Sequence, residues 1–314
     1  MNKKNLKPIM FSLFFFLINT YANGQDVFKK LVEIPPDIQM WTEVSGHGSP
    51  VVILINGGGD TIETEWTQVI PSINSITTVL AYDRAGEIKS QPLPNLEPRT
   101  AKDVVNRLRL LLKALNLKPP YVLVAHSIGG LYAQYYARNY PGEISGIVSI
   151  DGNLVEQSFP EKIPGISNKT VIEIQKENND HVKKLHDELV STLKMIHQKK
   201  QTPEETAQIE YSLEVMGKKE SAQQVMDSPP LPKNLFLSVL SAGNDPLENE
   251  IQKNFSNEVP KHVLYIFPTC GHYIQNCVPN KVNEIIKQTI INVQSDNFRQ
   301  SSPKMSGNNP AFSC

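Results

Sequence analysis

Cysteine is scarce. The 314-residue chain carries three, Cys270, Cys277 and Cys314, and no cluster of cysteine, histidine and aspartate has the spacing of a zinc site, so neither a metal nor another cofactor is expected. Charge of one sign is lacking too. Thirty-one basic residues face 32 acidic ones for a net charge of −1, and no Lys/Arg run offers a nucleic-acid surface. Long apolar runs are missing as well. The longest, Ile9 to Ile18, is about ten residues against the roughly 20 needed to span a bilayer, which excludes a stable membrane anchor. The glycine-rich "NGGGD" (Asn56–Asp60) has neither the lysine nor the spacing of a P-loop, which excludes phosphate cradling of that kind. No internal repeat is present.

What is there begins with "MNKKNLKPIMFSLFFFLINTYANGQ". A basic start, a short apolar core and small residues at Ala22 and Gly24 have the anatomy of a secretory signal peptide over residues 1–24, predicted to be removed near Gln25. No cysteine follows the apolar core, which argues against lipid anchoring. The expected localisation is therefore exported, periplasmic or secreted. In an oxidising compartment a disulfide becomes possible. Cys270 and Cys277 are nearest in sequence and would staple "TCGHYIQNC"; free thiols, or a Cys277–Cys314 pair, stand equally open. An odd count leaves at least one thiol unpaired within a monomer.

Strand-like and helix-like patterns then alternate. "VVILI" (Val51–Ile55), "TTVLAYD" (Thr77–Asp83), "YVLVA" (Tyr121–Ala125) and "ISGIVSID" (Ile144–Asp151) read as buried strands. Val104, Leu108, Leu111, Leu112 and Leu115 share one helical face, with Thr100 and Asp103 as its start signal. A second helix is predicted over about Gly129–Asn139. This rhythm predicts an α/β fold: a mostly parallel, doubly wound sheet. It stops near Gly152. Residues 153–233 are polar and helical, with an apolar stripe at Val182, Leu185, Leu189, Leu193 and Ile196 and a start signal at Thr202-Pro203; they read as a helical lid. The alternation resumes at Leu235–Gly243 and His262–Pro268 and closes on a helix over Pro279–Val293. The expected organisation is a core over 25–152, the lid, a core continuation over 234–295, and a polar disordered tail over 296–314.

In "VAHSIGG" a serine, Ser127, follows a buried strand and precedes a helix. Such a turn pushes the hydroxyl out of the sheet edge beside free helix-terminal N–H groups. Strand and helix can then approach only if the residues at −2 and +2 are small; here they are Ala125 and Gly129. "AHSIGG" thus resembles a nucleophile elbow, with Ala for the first Gly. "ILINGGGD" resembles the loop after the third strand, with Asn56 for its usual His. "YDRAGEIKS" resembles the Asp-Arg-x-Gly-x-Gly-x-Ser turn, with Ile88 at the second Gly. "CGHYIQNCVPNKV" resembles a catalytic-histidine segment. Four such segments, in order and on the right elements, resemble the α/β-hydrolase superfamily from about Gly46 to Val293, in its esterase/lipase-like branch with a helical lid after the sixth strand.

The resemblance implies roles. Ser127 is the expected nucleophile and His272 the expected base. His126 adjoins the serine but should point away from it. The carboxylate that fixes the histidine's tautomer is expected at Asp245, after the seventh strand, in preference to Asp151, after the sixth. The oxyanion donors are expected at the N–H groups of Gly58 and Ile128. Asp60 is expected to cap the next helix, and Asp83 and Arg84 to pair as ions. The expected activity is cleavage of a carboxylic ester, or a lactone, through an acyl-enzyme; amidase or thioesterase chemistry, or a ligand-binding role without catalysis, are the alternatives. The expected partner is a small-molecule ester or lactone, and nothing bears on oligomeric state.

Overall fold

The computed structural model describes residues 27–159, 161, 167–196, 202–243 and 245–301. The expected signal peptide and the last part of the expected tail lie outside them. The chain runs β1 (Phe28–Ile34), β2 (Ile38–Ser45), β3 (Val51–Ile55), α1 (Ile62–Glu65), α2 (Ile70–Ile73), β4 (Val79–Tyr82), α3 (Ala101–Ala114), β5 (Tyr121–His126), α4 (Gly129–Asn139) and β6 (Ile144–Ile150). It continues through α5 (Val155–Ser158), α6 (Asn168–Ile196), α7 (Pro203–Met226), β7 (Phe236–Ser241), α8 (Pro246–Ser256), β8 (Lys261–Ile266), α9 (Ile274–Cys277) and α10 (Pro279–Ser301).

The eight strands form one sheet in the order β1-β2-β4-β3-β5-β6-β7-β8. β1 and β2 pair antiparallel, as do β2 and β4, and every pair from β4 to β8 is parallel. The central strands β3 and β5 are buried at every residue, as strands covered on both faces must be. Alternate residues feed two cores. Ile53, Leu123 and Leu111 lie on one face with α3 and α4. Val52, Leu54, Val124 and Ile286 lie on the other with α10.

Two boundaries differ from the sequence reading. The β1–β2 hairpin precedes the first expected strand; its charged Lys29, Lys30 and Glu33 are exposed on the sheet's edge, which masks the alternation. The last helix continues through Ser301 where a tail was expected from residue 296. Asp296 accepts an ion pair from Lys261 at 3.0 Å, and no Pro or Gly interrupts the helix before Pro303.

Between β6 and β7 the described residues make α5, α6 and α7. Thr202 caps α7 as expected: its hydroxyl accepts from the Glu205 N–H at 3.2 Å and the Glu205 carboxylate accepts from the Thr202 N–H at 2.8 Å. α7 is clamped to the core by buried ion pairs, Arg84 to Glu214 and Arg99 to Glu210. A side chain at Gly217 would run into the Arg99 carbonyl 1.9 Å away, so this close docking requires glycine there.

Candidate active site

The parallel strands all end on one edge, and the chemistry-bearing residues follow those ends, where open α/β sheets collect their ligands. Ser127 follows β5 with φ +52°, a left-handed conformation that a non-glycine residue holds at a cost of about 1–3 kcal/mol. Its carbonyl accepts from the N–H of Gly130 at 2.9 Å and of Asn153 at 2.7 Å, which holds the turn. Ala125 is fully buried in β5, and the tight approach falls at the other small residue: a Cβ on Gly129 would lie 3.0 Å from the carbonyl oxygens of Ile55 and Asn56.

His272 lies beyond β8, in a loop closed by a disulfide between Cys270 and Cys277, whose Cα atoms are 5.8 Å apart. Its Nδ1 is 2.6 Å from Asp151 Oδ2. Asp151, not Asp245, is therefore the carboxylate that meets the histidine. Asp151 also adopts positive φ, +44°, and its other oxygen accepts from the Ala242 N–H at 3.0 Å. Asp245 is exposed and caps α8, accepting from the Leu247 N–H at 2.8 Å. Asp-Pro at a helix start is the signal that could have assigned it that role. With Nδ1–H committed to Asp151, Nε2 carries the lone pair. Burial alone would lower the His272 pKa; the hydrogen bond and charge of Asp151 outweigh it and hold the imidazole above its ordinary value.

Ser127, His272, Gly58 and Ile128 line one cavity of about 650 Å³. Among the described residues, neither the Gly58 nor the Ile128 N–H donates elsewhere. The glycine loop is fixed from behind. Glu65 accepts from the Gly57 N–H at 3.0 Å, and Arg84 donates to the carbonyls of Asn56 at 2.8 Å and Gly57 at 2.7 Å. Asn56 accepts from the Trp66 indole N–H at 2.6 Å. Arg84 pairs with Glu87 and Glu214; the expected Asp83 pairing is not made, because Asp83 instead accepts from the Ile62 N–H at 2.9 Å.

His126, adjacent to the serine in sequence, is engaged by Glu65 and by the histidine loop. Its Nε2–H donates to the His272 carbonyl at 3.0 Å, and its Nδ1 is 2.5 Å from Glu65 Oε1. Both side chains are fully buried. Burial pushes Glu65 up to about 7; burial and the neighbouring His272 push His126 down to about 4. Between about pH 4 and about pH 7 the pair is thus a carboxylic acid donating to a neutral imidazole. Asp60 faces the cavity instead of capping α1, whose N-cap is Thr61. Tyr273 donates to it at 3.2 Å, and burial with the adjacent Glu65 raises it to about 6.

Asp60, Glu65 and His126 bring ligand-type atoms within 4.8 Å of one another. The Glu65–His126 separation suits a shared proton; tetrahedral ligands on metal bonds of about 2.0–2.1 Å stand roughly 3.4 Å apart. Neither Glu65 nor the Arg84 clamp was readable from sequence.

This geometry has relatives. The chain belongs to the α/β hydrolase fold family, whose profile matches residues 50–276. It is 32% identical over 128 residues to a probable transporter, efuK, of Hormonema carpetanum, a match covering 39% of this chain and 18% of that protein. The chain spans less than half the length of the curated relatives it matches. Among solved structures, a thermophilic esterase from Thermogutta terrifontis superposes with a TM-score of 0.58 at 19% identity, covering 85% of this chain and 99% of that one. An esterase from Exiguobacterium antarcticum gives 0.59 at 15% identity, covering 84% and 99%. At these identities the likeness is one of fold.

Proposed function

We propose that the protein is a serine hydrolase that cleaves carboxylic esters through an acyl-enzyme. The observation that carries this reading is the 2.6 Å contact between His272 Nδ1 and Asp151 Oδ2 at the edge of the cavity that Ser127 lines. Ser127 Oγ attacks the ester carbonyl while His272 Nε2 takes its proton. The Gly58 and Ile128 N–H groups receive the oxyanion, and losing such a donor costs about 10²–10³ in rate. The imidazolium then protonates the departing alcohol. Water, deprotonated by the same nitrogen, releases the acid and restores Ser127. Asp151 stabilises the imidazolium throughout.

A fluorophosphonate probe tests the nucleophile. It should label the folded protein and not Ser127→Ala, which should also abolish hydrolysis of p-nitrophenyl butyrate. Labelling elsewhere, or unchanged turnover, overturns the assignment. Asp151→Asn should lower kcat on the order of 10³–10⁴-fold, and Asp245→Asn should change it little; the reverse ordering returns the acid to Asp245.

Export belongs to the same reading. It is supported by the signal-like first 24 residues and by a disulfide of the kind that persists in oxidising compartments. Mass spectrometry of the protein from the native cell should give a chain starting near Gln25; an intact Met1 in the cytosol overturns it.

A further inference from the structure

The cavity is lined by cations that ester hydrolysis does not use, Lys218 and Lys219. Tyr211, Val215 and Lys218 of α7 all line it, at i, i+4 and i+7, so they form a single stripe. Tyr211 lies over the glycine loop; its ring carbon is 3.1 Å from where a Gly58 Cβ would sit. Lys218 is two turns further, about 10 Å along the axis. Among the described residues its ammonium has no hydrogen bond and no ion pair. Its neighbour Lys219 lies 5.7 Å from the Phe159 ring, and Phe159 also lines the cavity.

An unpaired ammonium in a half-buried wall is costly unless something compensates it. Among the described residues, none of the acids nearby forms an ion pair with it. Asp60 is held at the other end, by Tyr273. Glu161 accepts from Gln175 at 3.2 Å. Glu248 accepts from Gln157 at 3.0 Å and acts on Lys218 only through its field, while burial draws the lysine's pKa down. The position of an ion-pair partner for Lys218 is thus left to a molecule that enters the cavity.

We propose that the ester cleaved here carries a carboxylate remote from its scissile bond, and that Lys218 receives that carboxylate. The inference rests on the hydrolase reading for its ester and on the α7 stripe for its charge. It makes α7 the specificity element. The Arg84 and Arg99 clamps then keep the lysine at a constant distance from the glycine loop.

Matched substrates test it. The p-nitrophenyl monoesters of glutarate and adipate, set against p-nitrophenyl butyrate and valerate, place the charge on the acyl side. 4-Carboxyphenyl butyrate against phenyl butyrate places it on the alcohol side. In at least one arm the anionic ester should be preferred in kcat/KM on the order of tenfold or more, the scale of a hydrogen bond to a charged group. The preference should collapse in Lys218→Met and Lys218→Gln and persist in Lys218→Arg. Because the readout is a ratio, partial loss of folded protein does not affect it. No preference in the unmodified protein, or one that survives Lys218→Met, overturns the proposal. Ser127→Ala protein separates this from the hydrolase reading. Monoethyl glutarate should raise its Tm and fail to do so in Ser127→Ala/Lys218→Met. That shift keeps the anion site even if no ester is turned over, and its absence removes the site even if esters are.

Discussion

At the scale of single residues, the His272 imidazole is the group whose protonation is most open to measurement. The proposed reaction needs His272 neutral, and Asp151 raises its pKa above the ordinary 6.5. The acid limb of kcat/KM should therefore have its midpoint above 6.5, with activity lost as pH falls through it. Asp151→Asn removes the charge that favours imidazolium, so the residual activity should show a limb shifted to lower pH. Glu65 makes a second case. Its folded pKa of about 7 lies above its ordinary 4.5, so the native state keeps a proton the unfolded chain releases. The stability this brings is full below 4.5 and is lost as pH rises through about 7. His126, lowered to about 4 from 6.5, contributes in the opposite sense, being lost as pH falls from 6.5 through 4, and the two offset each other. Glu65→Gln removes only the first contribution. Relative to the unmodified protein, its Tm should be most reduced near pH 5 and recover towards pH 7.5; a constant difference would show that Glu65 does not titrate there.

At the scale of elements, the clamp between Arg84 and α7 joins two jobs. One guanidinium holds two carbonyls of the glycine loop and two carboxylates, all in the interior. Arg84→Met should destabilise by about 3–5 kcal/mol in urea unfolding, because Glu87 and Glu214 are left buried without a cation. Adding Glu87→Gln and Glu214→Gln should recover much of the stability without recovering activity, since the loop carbonyls still lack their donor. Arg84→Lys should not restore turnover, because an ammonium cannot form the planar fork. α4 and β5 were legible in "YVLVAHSIGG" because a buried strand followed by small residues and a helix admits few other readings. The choice of acid was not. Asp151 and Asp245 both follow strands, and only the left-handed turn at Asp151, with the Ala242 N–H on its second oxygen, directs one of them to the histidine.

At the scale of the molecule, the alternation along the chain announced a parallel sheet covered on both faces, and the two separate cores are its consequence. Leu111 and Ile286 are fully buried on opposite faces. Leu111→Ala and Ile286→Ala should each cost about 2–5 kcal/mol, and the double variant should show the sum to within about 0.5 kcal/mol, since the sheet keeps the two cavities apart. A clearly smaller sum would mean that the faces relax together. The edge hairpin and the Glu65–His126 pair escaped a reading of pattern for one reason. Periodicity reports which face is apolar, whereas a charged edge and a buried acid depend on partners distant in sequence, Glu65 on His126 and Lys29 on Glu43.

Ser127 and Asp151 share a further property: both hold a backbone conformation that glycine adopts without strain. Ser127→Gly should raise stability by about 1 kcal/mol while erasing turnover, and a thermal melt of the pure variant checks the sign. If Ser127 is the nucleophile, as proposed, selection for folding alone would push this gene away from catalysis. On the proposed reading, a copy relieved of its chemical duty has a downhill mutational route in which Ser127 is the first thing worth discarding. A glycine at position 127 in a duplicated gene would mark a protein that kept its cavity and its cation after giving up its reaction.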